Sequence, residues 1–256
     1  MRSRYTLVDA LARVNTEQAV RASLDHVLGL LDLSHRDTMM VRSKAPSLFL
    51  RLGRGQDCYD FCKFWTLTAK TFDHDLNDLT LPFFDLSGEN VFESVGIFNP
   101  NDGSEPAGVC VIAFTPKALE LSHAVAIMLL KIRLLLDLEY LQQTKQAAGS
   151  QVPLDNTSSR ILGSIVNRNR QLFEREDLTL RIQELKTQVK QLYDAVGKAN
   201  KSFWPAMLNP EDYLFLVPDS FMVGDEMEME TKLQECYNAW VETPGAIGVI
   251  EELSKA

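Results

Sequence analysis

KALELSHAVAIMLLKIRLLLDLEYLQQTKQA, Lys117–Ala147, is the stretch on which the fold turns. Its apolar residues do not keep to one stripe but cover several faces of a helix. A helix that is apolar nearly all round is buried, so this one is expected at the centre of the protein. Its most apolar run, Ala124–Leu130, ends at Lys131, with Arg133 and Asp137 close behind. A membrane span would need about 18 or more uninterrupted apolar residues, so no membrane is expected as a partner.

Upstream, Leu24, Val27, Leu28, Leu30 and Leu31 cluster at helical spacing in a helix beginning near Thr16. The pattern breaks over His35–Pro46, and Leu48, Leu50 and Leu52 lead into a bend at Gly53–Gly55. Asp57 is placed to cap the next helix, CYDFCKFWTLTAK, which carries Phe61, Phe64, Trp65 and Thr68 on adjoining turns. A loop rich in Asp and Pro follows from Thr71 to Glu93. Its Leu81, Phe83, Phe84, Leu86, Val91 and Phe92 are too apolar for a free linker, so it is expected to pack along the body. Asn99–Gly108 reads as turns, and Val109–Phe114 as a short strand stopped by Pro116.

Downstream, Gly149–Asn156 is the best candidate for a boundary within the chain. Beyond it, Leu178, Ile182, Leu185, Val189, Leu192 and Val196 recur in steps of four and three. The stripe is short for a coiled coil, which leaves a bundle helix packed on its own domain as the expectation and a dimer seam as the alternative. A last helix spans Glu228–Glu242 with Trp240 on its apolar side, ended by Thr243-Pro244-Gly245. The expected architecture is mainly α: one domain over 1–256, a helical bundle with a long central helix, with a sub-boundary open at 149–156 and the segment 158–201 open to forming a protruding hairpin.

Composition excludes several classes. The chain has 256 residues, 45% apolar and 24% charged, which is neither a disordered chain nor a collagen-like repeat. Cys58, Cys62, Cys110 and Cys236 lack the dense spacing of a secreted disulfide framework, and the N-terminus has no continuous apolar core, so a cytoplasmic setting with reduced thiols is expected. The formal charge of −9 is uneven. Residues 158–201 carry 9 basic and 5 acidic side chains, and residues 202–256 carry 2 and 11. An acidic protein is a poor non-specific binder of nucleic acid, since Lys and Arg supply phosphate affinity. Only the basic strip can touch RNA, through Arg168, Arg170, Lys186, Lys190, Lys198 and Lys201, with Phe203 and Trp204 near enough to stack on bases. The plainer reading of the same residues is a solvated helix face and an aromatic dock.

No phosphate loop, dinucleotide fingerprint, paired zinc-spaced histidines or Gly-x-Ser-x-Gly elbow is present. Cys58 and Cys62 share a helix face without the further ligands of a zinc site, so no metal and no cofactor is expected. The acidic loop offers more. Asp73, Asp75, Asp78, Asp85, Glu89 and Glu93 interleave with Phe72, Phe83, Phe84 and Phe92, and carboxylates beside aromatic faces suit a guanidinium or ammonium ligand. The same aspartates equally suit turns. Tyr59, Asp60 and Lys63 form a second polar set, in which a lysine of depressed pKa would serve as a base and an ordinary one would sit in solvent. His123, just before AVAIMLL, is either a base at a cavity or the polar start of a helix.

The strings RLGRGQDCYDFCKFW (Arg51–Trp65), LTLPFFDL (Leu79–Leu86), LSHAVAIMLLKIRLLLDL (Leu121–Leu138), SFWPAMLNP (Ser202–Pro210) and AWVETPGAI (Ala239–Ile247) resemble a large filamentous-fungal family of helical proteins. Some of its members are loosely labelled MYND-like. The family commonly reads Tyr-Asp-Trp-Gly-Asp where this chain has His74-Asp75-Leu76-Asn77-Asp78, which keeps both aspartates and loses the aromatic and the glycine. Asn99–Phe114 also diverges. Part of the family is associated with arginine-containing cyclodipeptide synthases, which make diketopiperazines from aminoacyl-tRNAs. The resemblance implies an arginyl-tRNA and a second aminoacyl-tRNA as partners, no DNA, and a monomer or weak homodimer. On this reading Tyr59, Asp60, Asp75, Asp78 and Asp85 hold the arginyl side chain, Lys63 or His123 moves protons, and the basic strip meets the acceptor arm. No serine or cysteine stands out as a covalent nucleophile. The alternative is a non-catalytic helical interaction module using the 178–196 stripe or the acidic C-terminal third.

Overall fold

The structure is a computed structural model describing residues 2–70, 75–78, 83–97, 113–114, 120–148, 163–175, 177–216 and 221–255. In chain order the helices are α1 (Arg2–Ala12), α2 (Glu17–Leu33), a 3-10 turn at Arg42–Lys44, α3 (Ala45–Arg51), α4 (Gly55–Lys70), α5 (Leu121–Ala148), α6 (Ser164–Arg168), α7 (Arg170–Glu174), α8 (Thr179–Ala199), α9 (Phe203–Leu208), α10 (Glu226–Val241) and α11 (Ala246–Lys255). Two two-residue strands, β1 (Gly96–Ile97) and β2 (Ala113–Phe114), pair in parallel. The fold is mainly α around one long central helix, as the opening stretch leads one to expect.

That helix is α5. From Leu121 to Ile132 every residue is buried, because α3, α4, α8, α10 and α11 all pack on it. One hydrophobic cluster reaches from Val8 through α5 to Ile250. The three charged residues that interrupt the apolar run each tie another segment to α5. Lys131 Nζ donates to the carbonyls of Val91 and Glu93, the latter at 2.9 Å. Arg133 donates to Leu50 O at 2.7 Å and to Thr243 Oγ1 at 2.6 Å, joining α3 and the turn after α10. Asp137 accepts from Gly163 N at 3.1 Å. Buried charges persist where they are paired or hydrogen-bonded, and here that requirement fixes the approach of three segments. No helix among the described residues is long and apolar enough to cross a membrane.

Local chemistry sets the ends of several elements. Thr16 caps α2, its side chain accepting from Ala19 N at 3.3 Å. Asp225 caps α10 in the same way, accepting from Glu228 N at 2.7 Å. Leu178, Leu185, Val189, Leu192 and Val196 are buried, and α8 lies along α5 over its length. The stripe is therefore an intramolecular seam, and over 178–196 the expected protrusion is corrected: those apolar positions are the surface that α5 needs covered, while 158–162 and 176 lie outside the described residues. Helix α4 starts at Gly55, so Asp57 lies inside its first turn rather than capping it. The segment Leu48–Leu52 belongs to α3 and the turn that ends it. The candidate boundary at 149–156 lies outside the described residues, as do Cys110 and 98–112.

Candidate functional site

Helix α4 places Tyr59, Asp60 and Lys63 on adjoining turns, and the segment Gly88–Glu93 folds over them. Gly88 has φ 73, a left-handed turn that glycine enters without strain. The turn aims two successive backbone N–H groups at Asp60: Gly88 N meets Oδ2 at 2.9 Å and Glu89 N meets Oδ1 at 3.0 Å. Gln56 Nε2 donates to Asp60 Oδ1 and to Glu89 O, at 3.0 and 2.9 Å. Lys63 Nζ lies 2.6 Å from Glu89 Oε2 and 2.7 Å from Glu93 Oε1. Tyr59 Oη donates to that same Glu93 oxygen at 2.6 Å. Behind the segment stands Lys131, with Tyr59's ring 5.6 Å from its Nζ.

The charges differ sharply within this cluster. Burial works against the Lys63 ammonium, but hydrogen bonds and charge from Glu89 and Glu93 outweigh it and raise its pKa. A base needs the opposite shift; in this arrangement Lys63 is the cation that clamps Glu89 and Glu93 to α4. Burial and the hydrogen bond to Glu93 raise the Tyr59 phenol. Lys131, which has carbonyl partners and is wholly buried, is pushed down by burial to about 7. It is the amine poised near neutrality, and sequence reasoning passed over it as the charge that ends an apolar run. A lysine within a helix apolar on every face was the available signal.

His123 is 2% exposed, with Phe61's ring edge-on at 5.8 Å. Burial lowers its pKa to about 4, and its Nε2 has no hydrogen-bond partner among the described residues. It is thus a neutral imidazole in the first turn of α5, the helix start that the sequence offered as one of two settings, with its ring turned into an aromatic cluster. Asp75, Asp78 and Asp85 stand exposed on the surface. Asp75 Oδ1 accepts from Asn77 N at 2.8 Å and Asn77 Nδ2 at 2.7 Å, and these bonds lower its pKa. Its carboxylate is engaged in the turn chemistry that the sequence left open. Tyr59, Asp60 and Lys63 therefore come together with Glu89 and Glu93 of the acidic loop, while the three surface aspartates do not join them. Phe72, Asp73 and Leu81 lie outside the described residues.

The basic strip divides in two. Lys186 pairs with Glu139 at 2.8 Å, and Lys190 with Asp194 at 2.6 Å. Arg168 is exposed, and the side chain of Arg170 lies outside the described set. Lys198 and Lys201, exposed and without an ion pair among the described residues, line an open groove of about 420 Å³ with Tyr193, Asp194, Gly197, Trp204 and Pro205. Tyr193 stacks on Trp204 at 5.2 Å and 9°, and Trp204 Nε1 donates to Tyr193 O at 2.9 Å. Phe203 is fully buried and docks this corner onto the core.

Cys58, Cys62 and Cys236 are buried free thiols, with burial raising Cys62 and Cys236 away from the thiolate. Among the described residues no group of three or more His, Cys, Asp or Glu is placed to hold a metal ion. No protein-family model, no curated protein and no solved structure matches the chain.

Proposed function

We propose that the chain is an aminoacyl-tRNA-dependent transferase of the arginine-containing cyclodipeptide type, joining an arginyl and a second aminoacyl residue into a diketopiperazine. The observation that carries it is the groove at the end of α8. There Lys198 and Lys201, exposed and without an ion pair among the described residues, stand beside half-buried Tyr193, residue types that track a phosphate backbone and meet a base. Trp204, buried behind Tyr193, braces that ring, and Asp194 stands at the same groove. The resemblance of the five quoted strings supplies the reaction. An aminoacyl ester is already activated, so the amine of one residue attacks the ester carbonyl of the other and expels the tRNA hydroxyl. A second attack of the same kind closes the ring and releases the second tRNA. The protein's contribution is to hold the two esters together and to take the proton from the attacking ammonium. Lys131, titrating near neutrality, fits the proton-accepting role better than Lys63 or His123. It stands behind Gly88–Glu93, so that segment has to lift for it to act.

A second reading, a non-catalytic helical interaction module, is favoured by one feature: Tyr59, Lys63 and Lys131 are each at most 2% exposed, closed beneath their own loop. Expression in bacteria with mass analysis of the medium separates the two. Arginine-containing diketopiperazines above the empty-vector control are the expected result. Their absence there, and from a reaction of purified protein with arginyl-tRNA and mixed aminoacyl-tRNAs, would leave the interaction module standing.

A further inference from the structure

A second polar cluster lies on the other side of α4, built from the turn before α3 and the start of α5. Asp37 is buried, and its two oxygens accept from Val41 N at 2.7 Å and Arg42 N at 3.2 Å. Arg42 then lays its guanidinium over the indole of Trp65, 4.9 Å from the ring centre. Its Nε is 3.8 Å from Asp37 Oδ2 and one terminal nitrogen is 3.3 Å from Glu120 Oε2. The other Glu120 oxygen is held by Ser122 Oγ at 3.1 Å. Phe84 packs on Trp65, and Phe83 both packs on Trp65 and stacks on His35 at 3.7 Å.

An indole face with two fixed carboxylates is a receptor for a planar cation, and the chain's own guanidinium fills it loosely. Neither ion pair is bidentate. Both are longer than the roughly 2.7–2.9 Å of a tight charged hydrogen bond. The Arg42 side chain is 37% exposed. Lys232, whose charge also reaches Glu120, is itself paired with Glu235 at 3.1 Å. The aromatic wall holds recognition capacity that Arg42 does not use. Trp65 Nε1, a donor, and His123 Nε2 are buried with no hydrogen-bond partner among the described residues, and the ring of Phe61 packs edge-on against both side chains. Buried polar atoms are nearly always satisfied, so two orphans in one cluster call for a partner.

We propose that the pocket of Asp37, Trp65 and Glu120 is a binding site for a guanidinium-bearing small molecule, with Arg42 as a resident occupant that the ligand displaces. The ligand's cation takes Arg42's place on the indole, and a polar group beyond it reaches Trp65 and His123. This deepens the reading proposed above, whose arginyl side chain would be such a ligand.

Calorimetric titration of the full chain with arginine methyl ester, against lysine methyl ester and norleucine methyl ester, tests it. Wild type is expected to bind the arginine ester saturably, with the lysine ester weaker by roughly tenfold or more for loss of charged hydrogen bonds. Arg42→Ala removes the competitor and is expected to tighten binding, because the competent state is no longer partly occupied. Glu120→Gln is expected to weaken it, and it leaves the backbone of the Asp37 turn untouched. Absence of saturable binding to wild type, binding seen with Arg42→Ala alone, or affinity unaltered by Glu120→Gln would each overturn the pocket. Arginine-ester binding without any diketopiperazine keeps the pocket and removes the synthase. Diketopiperazine output unaffected by Glu120→Gln removes the pocket and keeps the synthase.

Discussion

Lys131 is a cation whose place in the fold depends on pH. Burial holds its pKa near 7 in the folded chain, against about 10.4 in the unfolded one. Between those values the unfolded chain binds more protons, so stability rises with pH. The cost of burying the charge is complete below pH 7 and fades above it. Wild type should therefore gain stability over Lys131→Met between pH 7 and 9, by about 1 kcal/mol per pH unit in the difference between their melting curves. The raised Cys62 and Cys236 thiols pull both proteins down alike toward pH 9. Lys63, whose pKa is raised, keeps its contribution throughout this window and loses it only above its ordinary value of 10.5. Lys145 titrates with the same sign as Lys131, which is why the difference between the two proteins is the quantity to read. An equal slope in both would mean that the Lys131 amine stays charged. At this scale the sequence was legible in type and not in place. Tyr59, Asp60, Lys63, Glu89 and Glu93 were picked out as polar groups, but nothing in their spacing says that Glu89 and Glu93 close on Lys63.

Elements were more legible where a single periodicity governs them. Thr16 marks the start of α2, and the buried stripe from Leu178 to Val196 marks the face of α8 that meets α5. Several helices escaped, α1, α3 and α11 among them. In α3, Pro46 reads as a breaker, yet it stands in the first turn, where the missing N–H costs nothing. α1 is mostly exposed, with Val8 its buried residue, and so shows no stripe. α11 follows a Pro-Gly pair that reads as the end of one helix and is equally the entry to another. The segment Gly88–Glu93 has no periodicity at all, since it is held by carboxylate and ammonium contacts rather than by a ladder. This gives a test of what Lys63 does. Lys63→Met leaves Glu89 and Glu93 facing each other without their cation. Breaking a fully buried pair costs about 3–5 kcal/mol, and with the Glu89 and Glu93 side chains 32% and 12% exposed the loss should fall below that range. The triple variant that also carries Glu89→Gln and Glu93→Gln removes the stranded charges and should recover a large part of the loss in a denaturant melt. A single variant that melts like wild type while product formation collapses would restore Lys63 to the chemistry.

For the whole molecule the question is how a chain of net charge −9 meets a polyanion. Sequence alone treats 158–201 as one basic strip, but the fold spends it unevenly. Glu139 and Asp194 neutralise Lys186 and Lys190, while Lys198 and Lys201 keep their charge beside the Tyr193–Trp204 stack. Affinity for RNA depends on phosphates neutralised, and each lost contact lowers the salt slope by about 0.7 on a single strand or about 0.9 on a duplex. The double variant Lys198→Glu, Lys201→Glu should therefore weaken tRNA binding and flatten its dependence on salt by one to two contacts' worth. Lys186→Glu with Lys190→Glu removes cations already paired with the protein's own carboxylates, and it should shift affinity much less. Binding isotherms over a salt series on both pairs, with melting curves to confirm folding, give the comparison directly. If both pairs change the slope alike, the acceptor arm lies along the whole of α8 and not in the groove. If neither does, the groove is a packing corner between α8 and α9, and tRNA is held elsewhere or not at all.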